Sequence, residues 1–338
     1  MRRFDLLKVA ICVMAVVSVT IFNCGCEKKE NLNEGELVKA SSNIYKFENI
    51  EDFQKQLKEY YSLSEEEKAE YEKRKNFCSY ARTCEELYKS IDFESFKTIE
   101  EYRNIAETYS DYIVMSKDSA GDYVMDVKSD AIPFSCFLNK DMMFQIDDDL
   151  YKYVGNDYII GDVSLKDEMK NITTYNLVEY LEDTAKYRRL FYHKTEQIRD
   201  AAYNCGTGQT NEIVNGNNKT RIEIYIELYC QSQTALFIVH YLIRPLKKTA
   251  GVWFWCSRTI SCDLNARADM YCMGAWSYQA GHYANSGTGA SKLEGDLVYH
   301  QEWNVTQTPE MHIGSIDSWA STPSTGRVYL SCNPNLCK

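Results

Sequence analysis

Trp276, Tyr278, His282, Tyr283 and Asn285 stand close together among Gly, Ala and Ser in the stretch Met273 to Ser291. Flat aromatic rings beside hydrogen-bonding groups are what stacking on a sugar ring requires. The small residues between them read as a long connection, and loops on a rigid scaffold often carry function. These five residues form the candidate ligand-binding set. The competing reading is a hairpin whose aromatics cover the edge of a sandwich.

Catalytic signals are weaker. Gly287 to Lys292 and Cys205 to Thr210 are glycine-rich, but neither has the spacing of a phosphate-binding P-loop. The chain has no GxSxG elbow, SxxK or HExxH. His193, His240, His282, His300 and His312 are scattered and never at ligand spacing. A Cys–His nucleophile pair stays open, because such partners meet in space rather than in sequence. Glycosidase chemistry needs two carboxylates at a set separation, a condition that 49 acidic residues make uninformative. Asp147-Asp148-Asp149 lacks the spaced ligands of an EF-hand loop and reads as a turn. No catalytic residue, metal site or cofactor is therefore assigned.

The N-terminus carries a different chemistry. A basic start, Met1 to Lys8, precedes the apolar run Val9 to Phe22. That run is shorter than the roughly 20 residues a spanning helix needs and reads as a secretory signal. Asn23-Cys24-Gly25-Cys26 follows directly, and then a charged stretch. This resembles a bacterial lipobox, in which a cysteine is acylated and becomes the first residue of the mature chain. Gly25 favours Cys26 as the lipidated residue, with Cys24 as the alternative. The expected location is the bacterial cell envelope, at the outer membrane or cell surface, held by the lipid anchor. The chain beyond residue 26 is expected to be soluble.

A net charge of −11 argues against nucleic acid as a partner. With 26 Tyr and only 5 Pro, the chain reads as ordered. It has 13 Cys, and an exported protein can keep disulfides. Cys78–Cys84 and Cys332–Cys337 are the candidate local pairs. Several other cysteines read equally well as small buried hydrophobes.

The elements that must position these residues fall into two groups. Residues 1–25 are the signal and 26–45 a polar tether. Residues 46–195 form an α+β module: helices start at Asn49, Ser64, Thr83 and Thr98, several with capping-box spacing. Hairpins follow at 111–127 and 143–154, and a helical or irregular stretch runs from Ser164 to Leu190. Residues 196–338 are all β by pattern, with Arg221 to Tyr229 alternating as a strand with one buried and one wet face. Regular strands with turns between them suggest an antiparallel sandwich. The fold class is thus α+β, a helical and hairpin module followed by a β-sandwich.

Asn49-Ile-Glu-Asp-Phe53 and Tyr71-Glu-Lys-Arg-Lys-Asn-Phe-Cys78, within Phe47 to Ile91, resemble an uncharacterised group of lipoproteins exported by gut anaerobes. Met142 to Ile146 followed by Leu150 to Val154 adds to the likeness. The resemblance covers about a third of the chain. It implies export, lipid anchoring and surface or periplasmic residence, and no activity.

The expected function is a lipid-anchored binding or adhesion protein, with a glycan or a surface protein as partner. The alternatives are a hydrolase of envelope polymer or polysaccharide, and a subunit of a larger surface complex. An enzyme should have a cleft of converging polar groups with perturbed ionisation. A binder should have a shallow, exposed aromatic strip.

Overall fold

The computed structural model describes residues 39–118, 120–194, 208–231, 234–272, 275–302 and 310–332. The signal, Cys24, Cys26, most of the tether and Cys337 lie outside the described residues. Val38–Lys338 clusters as one compact unit. No helix among the described residues is long and apolar enough to cross a membrane.

The first four helices are α1 (Ile50–Ser62), α2 (Glu65–Arg74), α3 (Tyr80–Ser90) and α4 (Ile99–Thr108). Each starts where a side chain satisfies a free backbone N–H. Asn49 Oδ1 accepts from Asp52 N at 2.9 Å, and Ser64 with Glu67 and Thr98 with Glu101 form complete capping boxes. Two short helices, α5 (Lys166–Lys170) and α6 (Leu177–Glu182), occupy the stretch expected to be helical or irregular. Both expected hairpins are present: β2 (Ile113–Lys117) with β3 (Tyr123–Val127), and β4 (Met143–Ile146) with β5 (Asp149–Val154).

The remaining early strands are β1 (Tyr45–Phe47), β6 (Asp157–Asp162) and β7 (Tyr187–Lys194). The C-terminal half adds β8 (Gly208–Asn215), β9 (Asn218–Gln231), β10 (Thr234–Thr249), β11 (Val252–Trp255), β12 (Arg258–Cys272), β13 (Ala275–Ala290), β14 (Leu293–Glu302), β15 (Glu310–Thr322) and β16 (Gly326–Cys332). A 12-stranded sheet has the order β1-β4-β5-β6-β7-β9-β10-β11-β3-β2, with β14 also on β10 and β8 also on β9. The second sheet has the order β13-β12-β15-β16. β7 pairs with β6 on one side and β9 on the other, so the large sheet runs through the sequence break near residue 196.

The two sheets pack face to face around one apolar core. Ile222, Ile224 and Ile226 of β9 and Phe237, Val239, Tyr241 and Ile243 of β10 meet Ile260, Leu264, Met270, Ile313, Ile316, Val328 and Leu330 of the smaller sheet. This is the face-to-face packing of a sandwich, with inward and outward residues alternating along each strand. The far face of β9 and β10 differs from the expected wet face, because the N-terminal module covers it. Glu227, His240 and Arg244 are all buried there. The molecule is therefore three layers deep, and the charged residues of the middle layer must find partners inside it.

Candidate functional site

The outer face of the small sheet is set by the alternation of β12. Cys262, Leu264, Ala266, Ala268 and Met270 point into the core, which sends Ser261, Asp263, Asn265, Arg267, Asp269 and Tyr271 outward. Their neighbours across the sheet follow from the register. Asp263 lies between Ala284 and Trp319, Asn265 opposite His282, and Asp269 between Tyr278 and His312. Trp319 in turn pairs with Tyr329 of β16. The result is an open surface about 14 Å across four strands and about 27 Å along β12 from 263 to 271.

This surface is aromatic and polar at once. Six large hydrophobic side chains are exposed in the described structure, and three of them lie here: Tyr278 (74%), Tyr329 (58%) and Tyr271 (36%). They share the face but stand at its two ends, Tyr278 and Tyr271 beside Asp269 and Tyr329 beyond Trp319 and Asp263, about 20 Å away along the strands. The Arg327 guanidinium lies over the Trp319 ring at 3.8 Å. The polar groups are held in place by one another. Asp263 Oδ1 lies 3.1 Å from His282 Nε2 and accepts from Asn265 Nδ2 at 3.0 Å. Arg267 Nη2 donates to Asp269 Oδ2 at 2.9 Å, and its Nε lies 2.9 Å from Oδ1 as an ion pair without hydrogen-bond alignment. Gly314 leaves the room for that pair, since a Cβ there would fall 2.2 Å from Asp269 Oδ2.

The sequence-predicted set fares unevenly. Met273 to Ser291 is not a loop: the long strand β13 fills most of it, and alternation divides the five residues. Tyr278 and His282 are exposed on the outer face, and Trp276 falls on the same face by register but is described only in its backbone. Tyr283 points inward, its ring 4.7 Å from that of Tyr241. Asn285 is on the inward row too, donating to Tyr283 Oη at 2.5 Å. Glycine misled the loop reading. Gly281 is needed inside a strand because a Cβ there would meet Leu297 O of β14 at 1.4 Å.

Of the two expected cysteine pairs, Cys78–Cys84 needs correction. Cys78 and Cys84 are free thiols. Cys78 precedes the Ser79 cap of α3, with Sγ 3.8 Å from Thr83 Oγ1, while Cys84 points into the core. Burial pushes the Cys84 thiol up to about 11, so it behaves as a small hydrophobe. Cys332 is disulfide-bonded, and its expected partner Cys337 lies outside the described residues.

A second cluster of converging polar groups lies in the buried seam between the N-terminal module and β9, β10 and β14. Lys292 Nζ sits 2.6 Å from Glu85 Oε1, 3.1 Å from Glu294 Oε2 and 3.4 Å from Asp130 Oδ1. Lys68 Nζ adds a contact to Glu294 at 3.0 Å and to Glu65 at 3.2 Å. Burial pulls the Lys292 ammonium down, but Asp130, Glu294 and Glu85 outweigh it and hold it above the ordinary lysine range. The carboxylates around it cannot all ionise cheaply. Burial pushes Glu85 up to about 7, with Lys292 offsetting only part of that. Glu294 is held well below the usual range, since Lys292 and Lys68 overcome its burial.

His240 faces Asp296 across 3.7 Å in the same seam, too far for a direct hydrogen bond. Burial opposes charge on His240, yet the carboxylates of Asp296, Glu227 and Glu294 raise it above the ordinary histidine range. The cavity among these residues has a volume of about 40 Å³. That is room for roughly three water molecules, against roughly 300–1,000 Å³ for ordinary ligand pockets. Waters there would satisfy Ser129 Oγ, Asp130 Oδ2 and His240 Nδ1, which have no hydrogen-bond partner among the described residues. Among the described residues, no group of three or more His, Cys, Asp or Glu side chains gathers to hold a metal ion.

Sequence reading missed most of the outer face: Asp263, Asn265, Arg267, Asp269, Tyr271, His312, Trp319, Arg327 and Tyr329. The signal was present in β12, whose polar residues recur at every second position from Asp263 to Asp269.

No protein-family profile and no curated protein matches the chain. The solved structure of a DUF4848 family protein from Bacteroides thetaiotaomicron is similar over 85% of this chain and 95% of that chain. It has 13% sequence identity and a TM-score of 0.27.

Proposed function

We propose that this chain is an exported binding protein of the bacterial cell envelope, held by a lipid on Cys26 (or Cys24), whose outer sheet face takes a glycan. The observation that carries the reading is that exposed Tyr278, Tyr271 and Tyr329 share one open sheet face with hydrogen-bonded polar side chains. Aromatic rings supply flat apolar area, and ordered amide, imidazole and carboxylate groups supply hydrogen bonds at little entropic cost. An extended, sequence-tolerant ligand such as an oligosaccharide suits an open surface better than a compact metabolite does.

The seam gathers the most perturbed carboxylates, with burial pushing Glu85 up to about 7, and is where a hydrolase reading would first look. A space of about 40 Å³ admits water but no sugar ring, so the binding reading is preferred.

Residues 27–338, which include the whole compact unit, are to be screened on a broad glycan array beside Tyr278→Ala. Binding that the variant loses is expected. A blank array, or binding that Tyr278→Ala leaves intact, sinks the assignment. Lipidation is tested separately by mass spectrometry of the mature N-terminus, and an unmodified terminus at neither cysteine would remove the anchor.

A further inference from the structure

Tyr175 is 99% exposed, more than any other large hydrophobic side chain among the described residues, and Val178 follows three positions later at 69%. The loop behind them is built to hold the ring out. Asn176 Oδ1 accepts from Thr173 N at 2.7 Å and from Thr173 Oγ1 at 3.1 Å, and Asn176 Nδ2 donates to Asn171 O at 3.0 Å. On the inward side, Ile172 before it and Leu177, Tyr180 and Leu181 after it pack on the core of Met143, Leu150, Val154 and Ile159. The chain enters the described structure at the same end of the molecule. Ser41 O accepts from Lys140 N at 3.0 Å, and Ile44 packs on the core that carries Leu177 and Tyr180. Lys152 Nζ joins that corner to the loop, donating to Asp141 O at 3.3 Å and to Lys170 O at 3.1 Å. Gly155, just past the end of β5, lies against Thr174, and β5 ends beside the starts of β4 and β1. Lys39 stands 13 positions after Cys26, a stretch that spans at most about 45 Å when fully extended.

We infer that this end of the molecule rests on a lipid surface, with Tyr175 and Val178 entering the headgroup region of the membrane that holds the anchor. The inference rests on the lipid anchor proposed above. That anchor selects the occupant, because it keeps a bilayer within the reach of those 13 residues from the corner where Tyr175 projects. Tyrosine suits the boundary, its ring in the apolar margin and its hydroxyl among the headgroups. The lipid supplies the affinity, so two side chains need only fix which end faces the membrane. Charge does not draw this end down. Lys140 is paired with Asp141 at 2.8 Å and Lys170 with Asp167 at 3.1 Å, while Glu179 is exposed beside Val178. The contact is therefore apolar, and salt should not weaken it.

The test is Tyr175→Trp, a change at a fully exposed position that the fold tolerates. The protein is placed on phosphatidylcholine vesicles in two forms: the full chain bearing its own lipid, and residues 27–338 held by an N-terminal histidine tag on a nickel-chelating lipid. Matched vesicles carry lipids brominated near the headgroup end of the acyl chains, which quench tryptophan on contact. The parent, with its five tryptophans, gives the background. The added tryptophan should shift to the blue and lose its emission in brominated vesicles, in both forms and at low and high salt alike. Amide hydrogen exchange over 173–178 should slow only when vesicles are present. An added tryptophan that stays unquenched overturns the inference, and so does quenching that high salt abolishes. Protection of 173–178 already complete without vesicles overturns it too, since another part of the chain would then cover the loop. The two forms separate the contact from the anchor. An unmodified N-terminus beside a quenched tagged chain sinks the anchor alone, and a lipid on Cys26 beside an unquenched tagged chain sinks the contact alone.

Discussion

Two histidine–aspartate pairs sit on opposite sides of the sandwich. His282 and Asp263 meet at 3.1 Å on the open sheet face, each with much of its side chain in water. His240 and Asp296 face each other at 3.7 Å in the seam, where both are almost wholly enclosed. The exposed pair can exchange its internal hydrogen bond for one to a ligand, because solvent covers the cost of rearrangement. The buried pair cannot, since every change of charge must be answered by another buried group. Perturbed ionisation therefore marks the seam, as it marks active sites, but here it follows from closing three layers over charged strands. The outer face has ordered polar groups beside exposed rings, and that is the combination recognition uses.

The sharpest way to break this comparison is at Lys292. Replacement by Met leaves Glu85, Asp130 and Glu294 without their shared ammonium in a site with room only for a few waters. Losing one partner of a buried network costs about 3–5 kcal/mol, to be read by urea unfolding. A loss below about 1 kcal/mol would mean that the seam is wet and adaptable, and would reopen it as a site.

The next effect is on pH dependence. Glu85 is raised from 4.5 to about 7 by burial, so the folded state holds a proton that the unfolded chain releases. Its contribution is fully present below pH 4.5 and is lost as pH rises through about 7. Glu65 works the other way. Lys68 and Lys292 outweigh its burial and hold it at about 2, so its contribution appears above pH 4.5 and is lost as pH falls through about 2. Stability should therefore decline between about pH 4.5 and 7 by on the order of 1–3 kcal/mol, and Glu85→Gln should flatten that limb. An unchanged slope in the variant would assign the proton to another seam carboxyl.

What the sequence disclosed divides along the same line. Helix starts at Asn49, Ser64 and Thr98 and the strand at Arg221 were legible because caps and two-residue alternation are local signals, whereas the start expected at Thr83 lies inside a helix that Ser79 caps. Glu223, Tyr225 and Glu227 were legible as one face of β9, but not as a buried face. Which layer covers a strand is decided by distant helices, and polar residues are drawn inside only when such partners as Arg244 exist. The candidate site was half legible. Tyr278 and His282 were found by type, whereas Trp319 and Arg327 come beside Asp263 only through β15 and β16 pairing. Gly281 hid the strand that joins them, because its close approach to Leu297 leaves no trace in local pattern.

The smallest effect separates the role of Arg327 from that of its neighbours. Its guanidinium lies 3.8 Å from the Trp319 ring and 5.9 Å from that of Tyr329, on a face otherwise open to solvent. An exposed cation–π contact contributes about 0.5–1 kcal/mol, so Arg327→Ala should lower stability by no more than that. It should also uncover Trp319, raising its accessibility to an aqueous fluorescence quencher. On the glycan array the two roles of the arginine diverge. If it merely covers the ring, the variant binds as well as the parent or better, with Trp319 added to the aromatic surface. If the guanidinium itself contacts the ligand, affinity falls although stability hardly moves, and the recognition strip extends from β13 across all four strands to β16.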